Sequence, residues 1–268
     1  MSPSNQGPSG DVEAEFVFIH PPADGSPASV DGDKINEKHI TQCSVHDIRG
    51  EELLYNLQTH AFQAIRNVSS NANYQTWDSE EEIKRIYYPE VERLLIQNVP
   101  GAHSVIFLGH GVRKQGNKEH RQPIRYVHVD HTDQAAKDFI KELADPNVLS
   151  ERLRHRHRII SVWRPINGAV ESEPLAFVAA NTLEKAHLHP VQYQRNGVST
   201  SFTAVKHNPD LQWMYWSEMQ NDERLLLKCT DSALTNNDRA PHSAFDHSRS
   251  PIDAKPRESI EVRALVFG

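Results

Sequence analysis

The chain has little cysteine, no long apolar run and no excess of positive charge, and each shortage removes a class of function. Its two cysteines, Cys43 and Cys229, lie far apart, which leaves neither a disulfide framework nor a thiolate zinc site and makes a reducing, cytoplasmic setting the expectation. No apolar stretch approaches the ~20 residues that span a bilayer, so no membrane partner is expected. Lysine and arginine total 29 against 36 aspartates and glutamates, a net charge of -7; a nucleic-acid partner would require a basic stripe instead. HExxH is absent, which argues against a zincin-type protease. The opening MSPSNQGPSGDVEAE has neither the basic nor the apolar region of a signal peptide. Residues 1–14 are therefore expected to be a disordered tail and 15–268 a single domain, able to act alone or as a homodimer. With 268 residues, 37% of them hydrophobic, that domain can bury a sizeable core.

What is present reads mostly as strands. EFVFIHPP (15–22) predicts a strand ended by prolines, and TQCSVHDIRG a second short one. Residues 78–99 give the strongest helical signal, with Ser79 and three glutamates at the positive end of the macrodipole. Pro89 predicts a break into two helices, because proline lacks the donor and clashes with the preceding turn. AHSVIFL (102–108) predicts a buried strand, IRYVHVDHT another, DQAAKDFIKELADP a helix, LSERLRHRHR a second helix, and RIISVWRPI a strand. PLAFVAA, VSTSFTAVKH, LQWMYWSE and ERLLLKCTD are strand-length, and the turn-like HNPD and MQND between them predict antiparallel hairpins. ESIEVRALVF alternates, with Ile260, Val262, Ala264 and Val266 on one face. The expected class is α+β, a helical layer on a β-rich core.

IRYVHVDHT contains His128-Val129-Asp130. Side chains two apart on a strand share a face, so His128 and Asp130 can converge on one ion. An imidazole with a carboxylate suits Fe(II), Mn(II) or Zn(II) better than Ca2+. HxD alone is a weak pattern in a chain with 16 histidines, and the duller reading is a solvated strand face. A third ligand would complete a 2-His-1-carboxylate triad with open coordination positions. The apolar context of His242 favours that residue; its distance ahead of Arg257 favours His247. Other histidines carry less. His155 and His157 lie among arginines and read as a solvated face, His187 and His189 beside Pro190 read as loop, and His110 could line a cavity.

Arg257-Glu258-Ser259 opens the last predicted strand, which puts Arg257 and Ser259 on one face. A guanidinium fork matches a carboxylate bidentately, and a hydroxyl can add a bond to the same group. The pair suits the distal carboxylate of 2-oxoglutarate. In isolation such a pair more often meets a surface acid; an ordered HxD, histidine and RxS makes the cosubstrate reading the stronger one.

The blocks YVHVDHT, WRPINGAVESEPLAFVAANT, WSEMQNDERLLLKCTDS, RAPHSAFDH and PRESIEVRALVF follow in order, with DIRG, YYPEVERLL and FLGHGVRK upstream. Through them nearly the whole chain resembles the fungal hydroxylase/desaturase family of gibberellin-desaturase and CmcJ-like proteins. The resemblance implies a double-stranded β-helix (jelly-roll) core with a flanking helical layer, using Fe(II), 2-oxoglutarate and O2. It implies His128, Asp130 and His242 as iron ligands and Arg257 and Ser259 as 2-oxoglutarate anchors; Tyr126, two residues before His128 on the predicted strand, shares its face and is expected to line the cofactor cavity. The chemistry implied is hydrogen abstraction from a small carboxylate or amino acid in secondary metabolism, ending in hydroxylation, desaturation or ring closure. A likeness to aziridine-forming oxygenases points to L-valine. Arg164 and Arg113 are candidate clamps for a substrate carboxylate, and Trp216 and Phe245 candidate pocket walls. The competing readings are a hydroxylase/desaturase of a larger natural-product intermediate, a non-catalytic jelly-roll binding protein, and a cupin-like isomerase, which would not need the RxS clamp.

Overall fold

The computed structural model describes residues 8–21, 23, 28–31, 34–35, 37–143, 154–195, 198–233 and 239–268. Two sheets make up the core. In chain order the strands are β1 (Val12–Ile19), β2 (Ala28–Asp31), β3 (Lys34–Ile35), β4 (Lys38–Asp47), β5 (Phe62–Ile65), β6 (Ser104–Lys114), β7 (His128–Val129), β8 (His157–Pro165), β9 (Leu175–Val178), β10 (Leu188–Arg195), β11 (Val198–Val205), β12 (Trp213–Tyr215), β13 (Arg224–Asp231), β14 (His242–Ala244) and β15 (Glu258–Phe267). The ten-stranded sheet runs β1-β4-β12-β9-β14-β7-β11-β10-β2-β3, and the five-stranded sheet β5-β13-β8-β15-β6. The larger sheet curls: Val127 N–H donates to the Val17 carbonyl (2.8 Å), bringing β1 round to the segment that enters β7.

The first strand begins earlier than expected, at Val12 inside the stretch read as tail; residues 1–7 lie outside the described residues. Gly10 N–H donates to the Asp47 carboxylate (2.7 Å) and the Tyr215 hydroxyl to the Gly10 carbonyl (2.8 Å), so this end is tied to β4 and β12. Around Pro89 the chain does not part into two separated helices. Helix α1 (Glu80–Glu82) continues through a π-helical turn (Ile83–Tyr87) into α2 (Tyr88–Asn98). Pro89 lies in the first turn of α2, directly after the π-helical turn, so the missing donor falls where the hydrogen-bond pattern is already shifting and the helix runs on. Helix α3 (Asp133–Leu143) forms as expected, while the segment predicted as a second helix falls mostly outside the described residues.

The predicted hairpins through HNPD and MQND are absent. Strand β12 pairs with β4 and β9, and β13 lies in the other sheet against β5 and β8. Local turn chemistry can mark the reversal but not the sheet that the next strand joins. The strand predicted at 102–108 runs on to Lys114 along the edge of the small sheet, past an irregular step where Gly109 takes φ 125° opposite Arg263. His157 starts β8 and is buried, and His189 lies within β10, so neither matches the expected solvated face or loop.

The alternation of β15 decides what each side of the small sheet touches. Ile260, Val262, Ala264 and Val266 pack with Ile160 and Val162 against Val91, Leu94 and Leu95 of α2. The residues between them, Ser259, Glu261, Arg263 and Leu265, point to the other side, toward the large sheet. Phe177, Met214, Trp163, Leu225 and Leu227, drawn from both sheets, fill that interior.

Candidate functional site

His128 and His242 are direct cross-strand partners on the adjacent strands β7 and β14, with ring centroids 4.5 Å apart. Both are buried. Each ring is fixed by a carbonyl two residues upstream: Nδ1 of His128 lies 2.9 Å from the Tyr126 oxygen, and Nδ1 of His242 lies 3.1 Å from the Ala240 oxygen. A carbonyl only accepts, so each Nδ1 carries the proton and each Nε2 is left with its lone pair. Burial, and then the neighbouring His242, pushes His128 down to about 3, which keeps its imidazole neutral as a ligand must be.

Asp130 completes the cluster, but not by the strand geometry expected. Strand β7 has only two residues, and Asp130 occupies a bend just after it. Its Oδ1 lies 3.9 Å from His128 Nε2 and 3.9 Å from Arg263 Nη1, while Oδ2 accepts from Ser161 Oγ at 2.8 Å. Burial alone would raise this carboxyl, yet His242, Arg263 and His128 around it hold it below the ordinary carboxylate value. One ligand atom from each of His128, Asp130 and His242 falls within 4.8 Å of the others, and no other such group occurs among the described residues. Two imidazole nitrogens and one carboxylate oxygen, with second hydrogen bonds already fixing the rings, fit an iron centre.

His247, the rival ligand, is otherwise engaged. Its Nδ1 accepts from Arg249 N–H at 3.1 Å, so Nε2 carries the proton and donates to the Tyr215 hydroxyl at 3.0 Å. His110 faces α2 and shares a 2.9 Å hydrogen bond with the Tyr88 hydroxyl.

Arg257 is buried just before β15, against the Trp163 ring at 5.5 Å. Its Nη1 donates to the Glu173 carbonyl, its Nε has no partner, and among the described residues no carboxylate lies within ion-pair distance. Burial lowers its pKa to about 10. A guanidinium held dry with an unsatisfied N–H is suited to an incoming carboxylate. Ser259 shares its face and is buried too. Arg113 is the register partner of Ser259 across β6, and Tyr126 lies beside His128 with ring centroids 5.4 Å apart, stacked on Phe202.

Three expected substrate contacts are elsewhere. Arg164 is the register partner of Ile260 and so points to the α2 side, where Trp77 and Tyr87 rings lie 5.3 and 5.7 Å from its guanidinium. The sequence put it near a strand end but could not give its face. Trp216 donates its indole N–H to Glu52 at 2.8 Å and carries the Arg49 guanidinium 4.7 Å above its ring. Phe245 packs on Phe16, Tyr215 and His247. Conversely, Glu261, Arg263, Ser161 and Cys229 were missed. The period-two pattern linking Arg257 to Ser259 extends to Glu261 and Arg263, so a signal existed for those two; none existed for Ser161 and Cys229, which come from other strands.

A family model described as "Oxidoreductase/YMDC permease-like domain" matches residues 11–267. The Fe(II)/2-oxoglutarate-dependent dioxygenase nvfI of Aspergillus novofumigatus is 33% identical over 230 residues, 83% of this chain and 82% of that protein. The chain belongs to the fungal Fe(II)/2-oxoglutarate-dependent oxygenase family. The oxygenase is also 28% identical to the hydroxylase/desaturase poxK of Penicillium oxalicum over 284 residues, 94% of this chain and 86% of that one. The structure of the iron and alpha-ketoglutarate-dependent endoperoxidase NvfI superposes with a TM-score of 0.88 at 29% identity, covering 97% of this chain and 98% of that chain. The oxygenase is thus an iron- and 2-oxoglutarate-dependent oxidoreductase with a mixed α+β fold of curled sheets, consistent with a jelly roll. Among the described residues, no helix is long and apolar enough to cross a membrane.

Proposed function

We propose that His128, Asp130 and His242 hold the iron, that Arg257 and Ser259 bind the distal carboxylate of 2-oxoglutarate, and that the oxygenase attacks a C–H bond of a small carboxylate substrate in secondary metabolism. The chain from β1 (Val12–Ile19) onward then forms one oxygenase domain, a jelly roll with α2 as its flanking helical layer. The observation that carries the reading is the convergence of three buried ligand atoms within 4.8 Å, with both imidazoles locked as Nε2 donors.

Iron, with 2-oxoglutarate and O2, supplies an oxidant able to take hydrogen from an unactivated C–H bond. The chain supplies position and exclusion of water. His128 and His242 are held by their Nδ1 hydrogen bonds, so no ring rotation is needed on binding. Arg257 orients the cosubstrate, and its burial strengthens that contact. Tyr126 bounds the same side of the cavity, next to His128. Arg113, the register partner of Ser259 on β6, would take a substrate carboxylate, with its Nη1 already held by the Gln122 carbonyl.

The narrowest form of this reading is oxidative cyclisation of L-valine to an aziridine carboxylate. A second reading is hydroxylation or desaturation of a larger natural-product intermediate, reaction types of which the name of one relative, a hydroxylase/desaturase, speaks. Aerobic incubation with Fe(II), 2-oxoglutarate and a panel of small acids including L-valine separates them. Substrate-dependent succinate release with one of these acids supports the first; release only with larger intermediates replaces it with the second. His128→Ala and Asp130→Ala should lose Fe(II) binding while His247→Ala retains it, and the opposite pattern reverses the ligand assignment.

A further inference from the structure

Asp130 is the one member of the triad that its own strand does not orient. The two histidines are fixed by backbone carbonyls of their own segments. The aspartate sits past the end of β7, and what holds its carboxylate comes from the opposite sheet. Ser161 of β8 donates to Oδ2 at 2.8 Å. Cys229 of β13 lies 3.8 Å from the same oxygen and 3.6 Å from Ser161 Oγ. Both side chains are fully buried, so water cannot replace either contact. Oδ1 is left on the other side, turned toward His128 Nε2 and Arg263 Nη1, each 3.9 Å away.

We propose that Ser161, backed by Cys229, is a positioning residue that turns Asp130 so that it offers the metal Oδ1 alone. The inference rests on Asp130 being an iron ligand, as argued above. The chemistry requires such a device: a carboxylate binding through both oxygens would take one of the open positions that cosubstrate and O2 need. A hydroxyl at hydrogen-bond distance on Oδ2 disfavours that mode, and the thiol behind it keeps the hydroxyl aimed. Groups that orient metal ligands in this way typically matter 10–100-fold in metal affinity. Because the hydroxyl and the thiol come from the five-stranded sheet and the imidazoles from the ten-stranded one, the metal geometry also depends on how the two sheets pack.

Co(II), whose ligand-field bands report coordination, is the probe. Titrated into apo protein, Ser161→Ala should bind Co(II) about 10–100-fold more weakly than wild type and show altered ligand-field absorption, since the freed Oδ2 can then coordinate. Cys229→Ala should shift both readouts in the same direction by less. Thermal unfolding of the apo proteins reports the fold separately. If Ser161→Ala proves less stable as apo protein but keeps wild-type Co(II) affinity and spectrum, the serine is merely structural and the inference fails. Should that variant not fold, Cys229→Ala carries the test: unchanged affinity and spectrum overturn the proposal. Asp130→Ala in the same titration separates the two levels. Wild-type Co(II) binding there removes the ligand assignment itself, whereas loss there with no change in Ser161→Ala removes only the positioning role.

Discussion

Two buried guanidiniums lie on neighbouring strands of the small sheet, Arg164 ending β8 and Arg257 leading into β15, and they do opposite things. Burial lowers both to about 10. Both have an aromatic ring within cation–π reach, and each has one N–H nitrogen without a partner. Arg164 faces α2, where the rings of Trp77 and Tyr87 take the place of solvent. Arg257 faces the space between the sheets, on the side of Ser259 and the triad. Residue type, burial and charge are the same. The face of the sheet alone separates a structural cation from a candidate cosubstrate anchor.

The largest effect expected across that comparison comes from the triad on the inner side. His242→Ala should weaken Fe(II) binding beyond the 10–100-fold typical of groups that only orient a ligand, measured by anaerobic metal titration; ordinary Fe(II) binding would empty the inner face of its assigned meaning. Next is Arg257→Ala, which removes a buried charged contact to the cosubstrate. A loss of about 2–4 kcal/mol, roughly 30- to 1000-fold in the KM for 2-oxoglutarate, is expected in steady-state assays. Arg164→Ala should do the converse. It should cost about 2–3 kcal/mol of folding stability, through the space left between Trp77 and Tyr87, with the 2-oxoglutarate KM within about twofold of wild type. A large KM effect at Arg164 would erase the distinction between the faces.

The smallest effect concerns His247, which burial, and then Arg249, pushes down to about 4. The unfolded chain takes up a proton on this ring near the ordinary 6.5, whereas the folded chain refuses it until about 4. Stability is therefore full above pH 6.5 and falls as pH drops through that window, by at most about 1.4 kcal/mol per pH unit for this one group. His247→Gln should flatten the acid limb of denaturant-derived stability between those pH values by about that slope. An unchanged limb would mean that His247 is not the neutral hydrogen-bonding residue described.

Much of the inner face was legible because it follows from short-range periodicity. Arg257 and Ser259 share a face as their spacing demanded, and the same rule, carried further along β15, reaches Glu261 and Arg263. Asp130 joined His128 as predicted, although the two-residue β7 means that strand alternation is not the cause. Arg164 and Phe245 lie in sequence blocks near the site, but their side chains turn toward other layers; Trp216 stays in the core between the sheets, with its indole engaged by Glu52 and Arg49. The hairpins predicted through HNPD and MQND failed for a related reason, since turn residues signal a reversal and not which sheet receives the next strand.

By itself, the sequence determined the candidate ligand types, their order along the chain and the strand that presents the proposed cosubstrate clamp, because local spacing fixes which neighbours share a face. The resemblance already favoured His242 over His247; the tertiary structure adds that one pairs with His128 across adjacent strands while both nitrogens of the other are occupied. Tertiary structure also chose which oxygen of Asp130 is free, since Ser161 and Cys229 reach it from strands far away in sequence. Contacts of that kind depend on how two sheets are laid face to face, and no period within a single strand encodes them.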